Sequence, residues 1–458
     1  MFLEELDRIS KIFRSIIEEK RLKLVCHHDA DGLCSASILV KMLLRENVNF
    51  ELRIVKQLTI KDIKNLDVNE DDILVLADLG SGQLNFLKDV MERTQILVLD
   101  HHEPQKIKSL NLFHLNPMLY GESISSSMIC YLFAKSLNLK NTDLIDLAII
   151  GAVGDKFDEN WELKGEISKK ILKEAETISK ITILKGLRLY GRFERPIHKT
   201  LEYSFDPFIP GISGSESNSI QFLSELGLKL KEHGEWRKLK DLSLDEQQKL
   251  ASAIIIERLR AKRSDAINIF GEIYSINGRP EELQDAREFA TLLNACGRLR
   301  RHDVAIRLCL NDLTAIEISK EILSEYRRII SESIGWIRER DDAVLTTDFA
   351  TYLFCEDEVP DTIIGTITSI FLNSNLVDTN KPIFGFANTD DNMVKISTRA
   401  SRNLDINLRN IIVKAVDKFG TEGGGHEKAA GALIPKGKEK EFANIVDNIL
   451  SGLHGKKS

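Results

Sequence analysis

Three short apolar runs, each followed by acidic residues or histidines, constrain the fold of this chain more than any other feature of its sequence. The runs cover residues 22–26, 73–77 and 96–99, which is the length of a strand rather than of a helix. Helix-like patterns at 33–44 and 83–93 alternate with them. Strands that are apolar along their length are typical of a parallel sheet covered by helices. The sequence therefore predicts an α/β fold for this part of the chain.

Ionisable side chains gather where each predicted strand ends. The first run is followed by His27-His28-Asp29-Ala30-Asp31, the second by Asp78 and the third by Asp100-His101-His102. A further apolar run, which reads as a strand or a packed helix, leads to Asp155. Because ligands of parallel sheets bind at the carboxyl ends of the strands, we expect these groups to meet in one pocket. Acids and imidazoles at such a place are what a two-metal hydrolytic site requires.

Most of these motifs also have a simpler interpretation when taken alone. Asp78-Leu79-Gly80 is typical of a helix-capping acid in a strand-to-helix turn, and residues 151–155 suit a tight turn with a capping acid. Asp100-His101-His102 is harder to explain in this way, since three polar groups end one apolar run together. Oxygen and imidazole ligands favour Mn²⁺ or Mg²⁺, although these ligand types also admit zinc.

The rest of the chain is predicted from periodicity and from its breaks. Helices are predicted at 1–20, at 164–190 and through most of 219–340, with a loop at 203–218 and a break at 277–280. A second alternating section begins near residue 343, with strands predicted at 344–347, 382–387 and 393–398 and a helix at 405–418.

Length and composition narrow the class of protein. The 458 residues suffice for two or three domains, and 43% hydrophobic with 29% charged residues describes an ordinary globular protein. No apolar stretch approaches the roughly 20 residues that span a bilayer, so we expect a cytoplasmic protein without membrane contact. Six scattered cysteines without a C-x-x-C pair argue against disulfides and a thiolate zinc site. A net charge of −7 excludes a strongly basic nucleic-acid binder but is compatible with a local basic channel.

A glycine-rich segment near the C-terminus is the second unusual motif. Gly423-Gly424-Gly425-His426 allows the backbone to approach a phosphate closely, with its amide groups directed at it. The small residues that follow suit close packing of a helix. Arg399, at the end of a predicted strand, adds a basic group that suits a phosphodiester backbone. The simpler interpretation of the glycines is a flexible surface loop, and that of the basic residues at 258–263 is a solvated helix face.

Taken together, these motifs resemble those of the DHH phosphoesterase superfamily. The similar N-terminal motifs, in the order of the superfamily, are His27 to Gly32, Asp78, Asp100 to His102 and Gly154-Asp155. Residues 423–431 are similar to the signature of its DHH-associated C-terminal domain. Within the superfamily the chain looks most like the archaeal RecJ-like single-strand nucleases, because residues 203–211 and 287–298 resemble phrases of that group.

The resemblance implies roles for particular residues. It assigns metal coordination to six of them, which are His27, Asp29, Asp31, Asp78, His101 and Asp155. It implies two divalent cations, Mn²⁺ in preference to Mg²⁺, bridged by Asp78. Catalysis would involve Asp31, Asp78 and His102, with His102 contacting the scissile phosphate or the leaving oxygen, whereas His28 would be structural or lie behind the ligands. The residues implied to hold nucleic-acid phosphates are Arg399, Gly424, Gly425 and His426.

The resemblance also implies three parts: a DHH catalytic domain with a parallel sheet at 1–195, a mostly helical insertion at 196–340 and a smaller α/β DHH-associated domain at 341–458. The expected activity is metal-dependent exonucleolytic hydrolysis of single-stranded DNA, or also of RNA, to mononucleotides in replication or repair. A phosphoesterase for nanoRNA, cyclic dinucleotides or pyrophosphate stays an alternative. A replisome scaffold related to the eukaryotic helicase component is another. The partners implied are the GINS replication complex or a repair helicase.

Overall fold

The three apolar runs form the centre of a parallel sheet, as their pattern predicts. The five strands are β1 (Arg21–His27), β2 (Phe50–Val55), β3 (Asp72–Ala77), β4 (Gln95–Leu99) and β5 (Leu112–Leu115). They are all parallel and lie in the order β2-β1-β3-β4-β5. Every residue of β3 is buried, as expected for a central strand with helices on both faces. The edge strands β2 and β5 were not predicted, because their half-buried residues give no continuous apolar run.

Helices lie before, between and after these strands in the chain. They are α1 (Phe2–Ile16), α2 (Ala30–Arg45), α3 (Ile60–Lys64), α4 (Lys88–Met91), α5 (Ser126–Leu137) and α6 (Ile145–Gly154). The helices α2, α5 and α6 pack against one another. Asp29 caps the start of α2, because its carboxylate accepts a hydrogen bond from the Gly32 amide at 3.0 Å.

The next section mixes helices with short strands. Its helices are α7 (Glu166–Thr177), α8 (Ile197–Glu202), α9 (Glu216–Glu225), α10 (Leu244–Arg260), α11 (Ala286–Arg298) and α12 (His302–Cys309), and its strands are β6 (Asp158–Glu159), β7 (Glu162–Leu163), β8 (Ile181–Leu187), β9 (Lys231–Glu232), β10 (Glu235–Trp236) and β11 (Phe270–Ile276). The helix predicted over 164–190 was wrong beyond α7. Its second half is β8, which pairs antiparallel with β11, a strand inside the section predicted to be mostly helical. Because the pairing partner of β8 lies so far along the chain, the sequence around β8 does not show that it forms a strand.

The computed structural model describes residues 1–17, 20–159, 161–204, 207–263, 265–373 and 377–454. These residues form two compact units, Met1–Ile322 (unit 1) and Leu323–Ser458 (unit 2). The boundary falls within the helix α13 (Ile316–Arg338). Part of the predicted loop at 203–218, Phe205 and Asp206, lies outside the described residues.

Unit 2 is built on a mixed sheet. Its strands are β12 (Val344–Thr346), β13 (Thr351–Phe354), β14 (Ile383–Asn388), β15 (Met393–Arg399), β16 (Gly423–Gly425) and β17 (Ala429–Pro435), and its further helices are α14 (Ile364–Asn373), α15 (Leu408–Val416) and α16 (Glu439–His454). The strands lie in the order β12-β13-β14-β15-β17-β16, which leaves the glycine strand β16 at an edge. The small residues after His426 thus form a strand, and the helix that packs against it is α15.

Candidate metal centre

The carboxyl ends of β1, β3 and β4 bring three motifs together. His27 is the last residue of β1, Asp78 follows β3 and Asp100 follows β4, and these strands are neighbours in the sheet. Asp78 has a φ of +62°, a left-handed conformation that is uncommon for residues other than glycine. Its amide donates to the Leu99 carbonyl at 3.0 Å, so the backbone of β4 holds this turn in place. Strained residues of this kind cluster at functional sites.

A first cluster of ligand-type atoms surrounds the imidazole of His27. Its Nδ1 lies 3.1 Å from Asp29 Oδ2 and 3.3 Å from Asp78 Oδ2. Its Nε2 lies 3.1 Å from the carbonyl oxygen of Lys56. Since a carbonyl only accepts, Nε2 carries the proton in the neutral imidazole and the lone pair of Nδ1 faces the two carboxylates. A backbone carbonyl that orients a histidine in this way is typical of metal sites.

A second cluster lies around the imidazole of His101. Its Nε2 is 3.1 Å from Asp155 Oδ2, and ligand atoms of Asp31, His101 and Asp155 all lie within 4.8 Å of one another. The carboxylate of Asp31 accepts hydrogen bonds from the amides of Ser126 and Ser127 at 2.8 and 3.0 Å. These amides begin α5, whose helix dipole favours a negative charge there.

Asp78 lies between the two clusters. Its Oδ2 faces His27, and its Oδ1 is 3.5 Å from His101 Nδ1. The side chain is 1% exposed, and neither carboxylate oxygen accepts a hydrogen bond from the residues that the structure describes. A buried carboxylate without donors is costly, and a cation would remove that cost. The six side chains therefore fit a pair of divalent cations with Asp78 shared between them, and their role as ligands stays a prediction.

The charges of these groups also favour bound cations. Burial raises the pKa of Asp31 to about 6, and burial with the charges of Asp29 and Asp31 raises the pKa of Asp78 well above its usual range. Burial opposes the charged form of His101, yet its ion pair with Asp155 and the surrounding carboxylates raise its pKa to about 10. The acids thus need positive charge nearby, which protons supply in the metal-free chain.

His102 differs from the other imidazoles in its partner. Its ring stacks on that of His101 with centroids 4.3 Å apart, and its Nδ1 lies 2.7 Å from Asp100 Oδ1. The second oxygen of Asp100 accepts a hydrogen bond from the Ser81 amide at 2.9 Å. Burial opposes protonation of His102, but the Asp100 carboxylate raises its pKa. Because the side chain is 36% exposed, it can present a proton to a bound substrate. The sequence motif contained Asp100, but its role as the partner of His102 had not been assigned.

The four predicted phosphate-binding residues lie at one end of the unit 2 sheet. Arg399 ends β15 opposite Ala429 of β17, and the neighbouring Ala430 pairs with Gly425 of β16. The guanidinium of Arg399 donates to Ser369 Oγ at 3.1 Å and to the Thr398 carbonyl at 2.9 Å. His426 follows β16 and is exposed. Their role in binding phosphates stays a prediction.

The basic segment at 258–263 is only in part the solvated helix face that was considered for it, because Arg260 and Lys262 are exposed but Arg258 is not. Arg258 is fully buried, and its guanidinium donates to three backbone carbonyls, those of Phe208, Asp265 and Ala266. It holds two loops to α10 and is inaccessible to nucleic acid.

Comparison with known proteins identifies the family. Sequence models of the DHH family N-terminal domain, the DHH-CID domain and the DHHA1 domain match residues 22–152, 189–268 and 348–452. An uncharacterized protein of Methanocaldococcus jannaschii is 32% identical over 467 residues, which cover 98% of each chain. The chain belongs to the DHH family. This confirms the resemblance drawn from the sequence motifs, and the α/β fold agrees with it.

Solved structures share this DHH fold. CDC45 from Entamoeba histolytica matches with a TM-score of 0.67 at 12% identity, over 98% of this chain and 99% of that one. RecJ from Thermus thermophilus, in complex with Mn²⁺, matches with a TM-score of 0.60 at 17% identity, over 98% of this chain but 55% of RecJ. The structure of an exonuclease RecJ bound to manganese matches with a TM-score of 0.58 at 16% identity, over 97% of this chain and 94% of that one. At these low identities, the TM-scores show a shared fold alone.

No helix among the described residues is both long enough and apolar enough to cross a membrane.

Proposed function

We propose that this DHH-family protein is a metal-dependent exonuclease that hydrolyses single-stranded DNA, or also RNA, to mononucleotides. The observation that carries the proposal is the carboxylate of Asp78, buried without a donor among the described residues and placed between two clusters of acids and imidazoles. The matching RecJ structures hold manganese or Mg²⁺, which supports a divalent cation here, and we propose Mn²⁺ in preference to Mg²⁺.

The candidate ligands divide between two cations. His27 and Asp29 would hold one and Asp31, His101 and Asp155 the other, with Asp78 shared. When bound, two divalent cations lower the pKa of a water and offset negative charge on the phosphoryl group. The chain itself fixes the ligands: Lys56 orients His27, and the start of α5 holds Asp31.

His102 is proposed to act on the scissile phosphate or the leaving oxygen. Asp100 accepts from its Nδ1 and favours the protonated ring, whose opposite nitrogen can then donate to substrate. A general acid placed in this way contributes about 10²–10⁴-fold to the rate. Arg399, Gly424, Gly425 and His426 are proposed to bind phosphates of the strand. Replication or repair, with the GINS complex or a helicase as partner, is the proposed setting.

One assay tests the proposal and its alternatives. The wild-type chain and a His102→Ala variant are given a single strand of about 30 nucleotides, labelled at either end and made of DNA or RNA, and a dinucleotide, with Mn²⁺ or EDTA. We expect Mn²⁺-dependent release of mononucleotides from the long strand, lost with EDTA and reduced about 10²–10⁴-fold by His102→Ala. Faster turnover of the dinucleotide would favour the small-substrate phosphoesterase. No Mn²⁺-dependent cleavage of any substrate would contradict the proposal and favour a scaffold.

A further inference from the structure

The helix α11 packs directly against the loop that joins β1 to α2. This helix lies between residues 269 and 347, a section that none of the matching domain models covers. It contacts α2 and α6, the two helices that flank the candidate metal centre. Nothing in the family match therefore assigns it a role, although it lies behind residues 27–31, which carry three candidate ligands.

Three contacts fix α11 to this loop. The side-chain oxygen of Asn294 accepts a hydrogen bond from the amide of Ala30 at 3.0 Å. The carbonyl of Gly297 lies 3.3 Å from His28 Nδ1, and a Cβ at Gly297 would overlap with the His28 carbonyl oxygen. Because a carbonyl oxygen only accepts, the His28 ring donates from Nδ1 to Gly297. Only glycine allows α11 to approach this closely.

The side chains and backbone groups of residues 27–31 alternate between two directions. His27, Asp29 and Asp31 face the candidate metal centre, whereas the intervening His28 and Ala30 contact α11. The Ala30 amide belongs to the peptide bond between Asp29 and Ala30, and Ala30 directly precedes Asp31. A hydrogen bond to this amide therefore restrains the positions of both carboxylates. Gly154 also comes close to this place: a Cβ there would lie 2.5 Å from the methyl carbon of Ala30 and 3.2 Å from that of Ala290 in α11.

We propose that Asn294 is a positioning residue for the metal centre. By accepting from the Ala30 amide it sets the spacing of Asp29 and Asp31, one candidate ligand of each cation, and so determines how tightly the pair of cations binds. The inference rests on the proposed function, because it takes these acids as ligands. Without Asn294 the Ala30 amide loses its acceptor, and the loop relaxes away from the spacing that cations need.

Titration with Mn²⁺ alone, followed by calorimetry, tests this role without any substrate. Asn294→Ala is expected to weaken Mn²⁺ binding about 10–100-fold, the usual effect of removing a partner behind the ligands. Asn294→Asp keeps an acceptor oxygen of the same reach and is expected to restore affinity to within about threefold. The matched control is Asn141→Ala, which removes a buried asparagine bound to Ala134 and Arg45 at the far ends of α5 and α2.

The controls separate a positioning role from general loss of stability. We expect Asn141→Ala to lower the melting temperature without changing Mn²⁺ affinity. Wild-type affinity in Asn294→Ala, or equal weakening in Asn294→Ala and Asn141→Ala, would overturn the inference and leave the proposed function standing. A wild-type chain that binds no Mn²⁺ would overturn both.

Discussion

At the scale of single residues, the cost of burying Asp78 is the main feature of the candidate site. The side chain has neither a hydrogen-bond donor among the described residues nor exposure to water, and burial raises its pKa. Its left-handed backbone would suit asparagine, which tolerates this conformation better than most residues. A residue that is unfavourable for stability but retained at the centre of two clusters is expected where function requires it.

Asp78→Asn is predicted to stabilise the metal-free chain and to abolish activity. The amide is neutral without binding a proton, so the buried side chain becomes less costly, and a gain of about 1 kcal/mol would raise the melting temperature by about 2 °C. The shared ligand is lost, so Mn²⁺ titration should show fewer bound cations, and nuclease activity should fall at least about 100-fold. Calorimetry with and without Mn²⁺ measures both effects. Retained cleavage would remove Asp78 from the proposed site.

Glu288 gives the chain a pH-dependent stability outside the metal centre. One oxygen of its carboxylate accepts from the amides of Gly191 and Arg192 at 2.7 and 3.0 Å. Burial, with the charge of Asp285, raises its pKa from 4.5 to about 8. The folded chain therefore holds a proton that the unfolded chain releases between these values. This contribution is complete below pH 4.5 and is lost as the pH rises through 8.

Glu288→Gln is predicted to remove this loss, because glutamine keeps an acceptor oxygen and never ionises. Urea unfolding across the same pH range should show the variant gaining on the wild type as the pH rises, by an amount on the order of a few kcal/mol. Parallel stability profiles for the two chains would show that Glu288 ionises normally in the folded state.

At the scale of elements, Arg279 joins the loop before α11 to two helices. Its guanidinium donates to Asp146 Oδ2 at 2.8 and 3.0 Å, in the first turn of α6. It also donates to the carbonyl of Leu308 at 3.0 Å, near the end of α12. Both charged side chains are 5% exposed. This buried pair holds the section around α11 and α12 to the helices of the parallel sheet.

Arg279→Met is predicted to lower the free energy of unfolding by about 3–5 kcal/mol, because it leaves Asp146 buried without its counter-charge. Denaturant unfolding measures the loss. Adding Asp146→Asn to the variant removes the unpaired charge and should recover part of it. If the double variant is no more stable than Arg279→Met, the carboxylate is not the source of the cost.

The edge strand β16 offers a direct test of the phosphate-binding proposal. A Cβ built on Gly424 meets no atom within 4 Å, whereas Gly425 has a φ of +127° that other residues rarely adopt. Gly424→Val should therefore fold normally and block the approach of a phosphate. We expect Gly424→Val to bind a long single strand about tenfold more weakly, with unchanged Mn²⁺ affinity. The control is Gly452→Val, at another glycine with open space around its Cβ, which should leave strand affinity unchanged. Unchanged strand affinity in Gly424→Val would contradict the role of β16.

Particular elements show how far the sequence could be read. β1, β3 and β4 were predictable because each is apolar along its length, and parallel topology then placed their ends together. The pairing of β8 with β11 was missed because each strand has its partner in a distant part of the chain. Asn294 had no local signal, since nothing in the sequence of α11 shows that it faces the Ala30 amide. The β8–β11 pairing and the hydrogen bond of Asn294 both depend on contacts between distant parts of the chain, which a local sequence pattern does not show.

At the scale of the whole molecule, the candidate functions divide between the two units. All six candidate metal ligands belong to unit 1, whereas Arg399, Gly424, Gly425 and His426 belong to unit 2. Cation binding is thus predicted to act on the stability of unit 1, and strand binding is predicted to involve residues of unit 2.

Mn²⁺ is predicted to slow amide exchange in peptides of unit 1 around 27–31, 78 and 101, and to leave unit 2 peptides unchanged. A ligand at 100 times its dissociation constant stabilises the state that binds it by about 2.7 kcal/mol. Hydrogen–deuterium exchange followed by mass spectrometry, with Mg²⁺ and EDTA for comparison, measures the difference. Protection confined to unit 2 would place the cations elsewhere.

Residues 27–31 alternate between the candidate metal centre and α11, and this alternation has a consequence for how the protein can vary. Replacing one of its side chains alters a single contact, but adding or deleting one residue would move the acids of this stretch relative to His27 and would also displace the contacts with α11. We therefore expect this stretch to be far less tolerant of changes in length than of changes in identity.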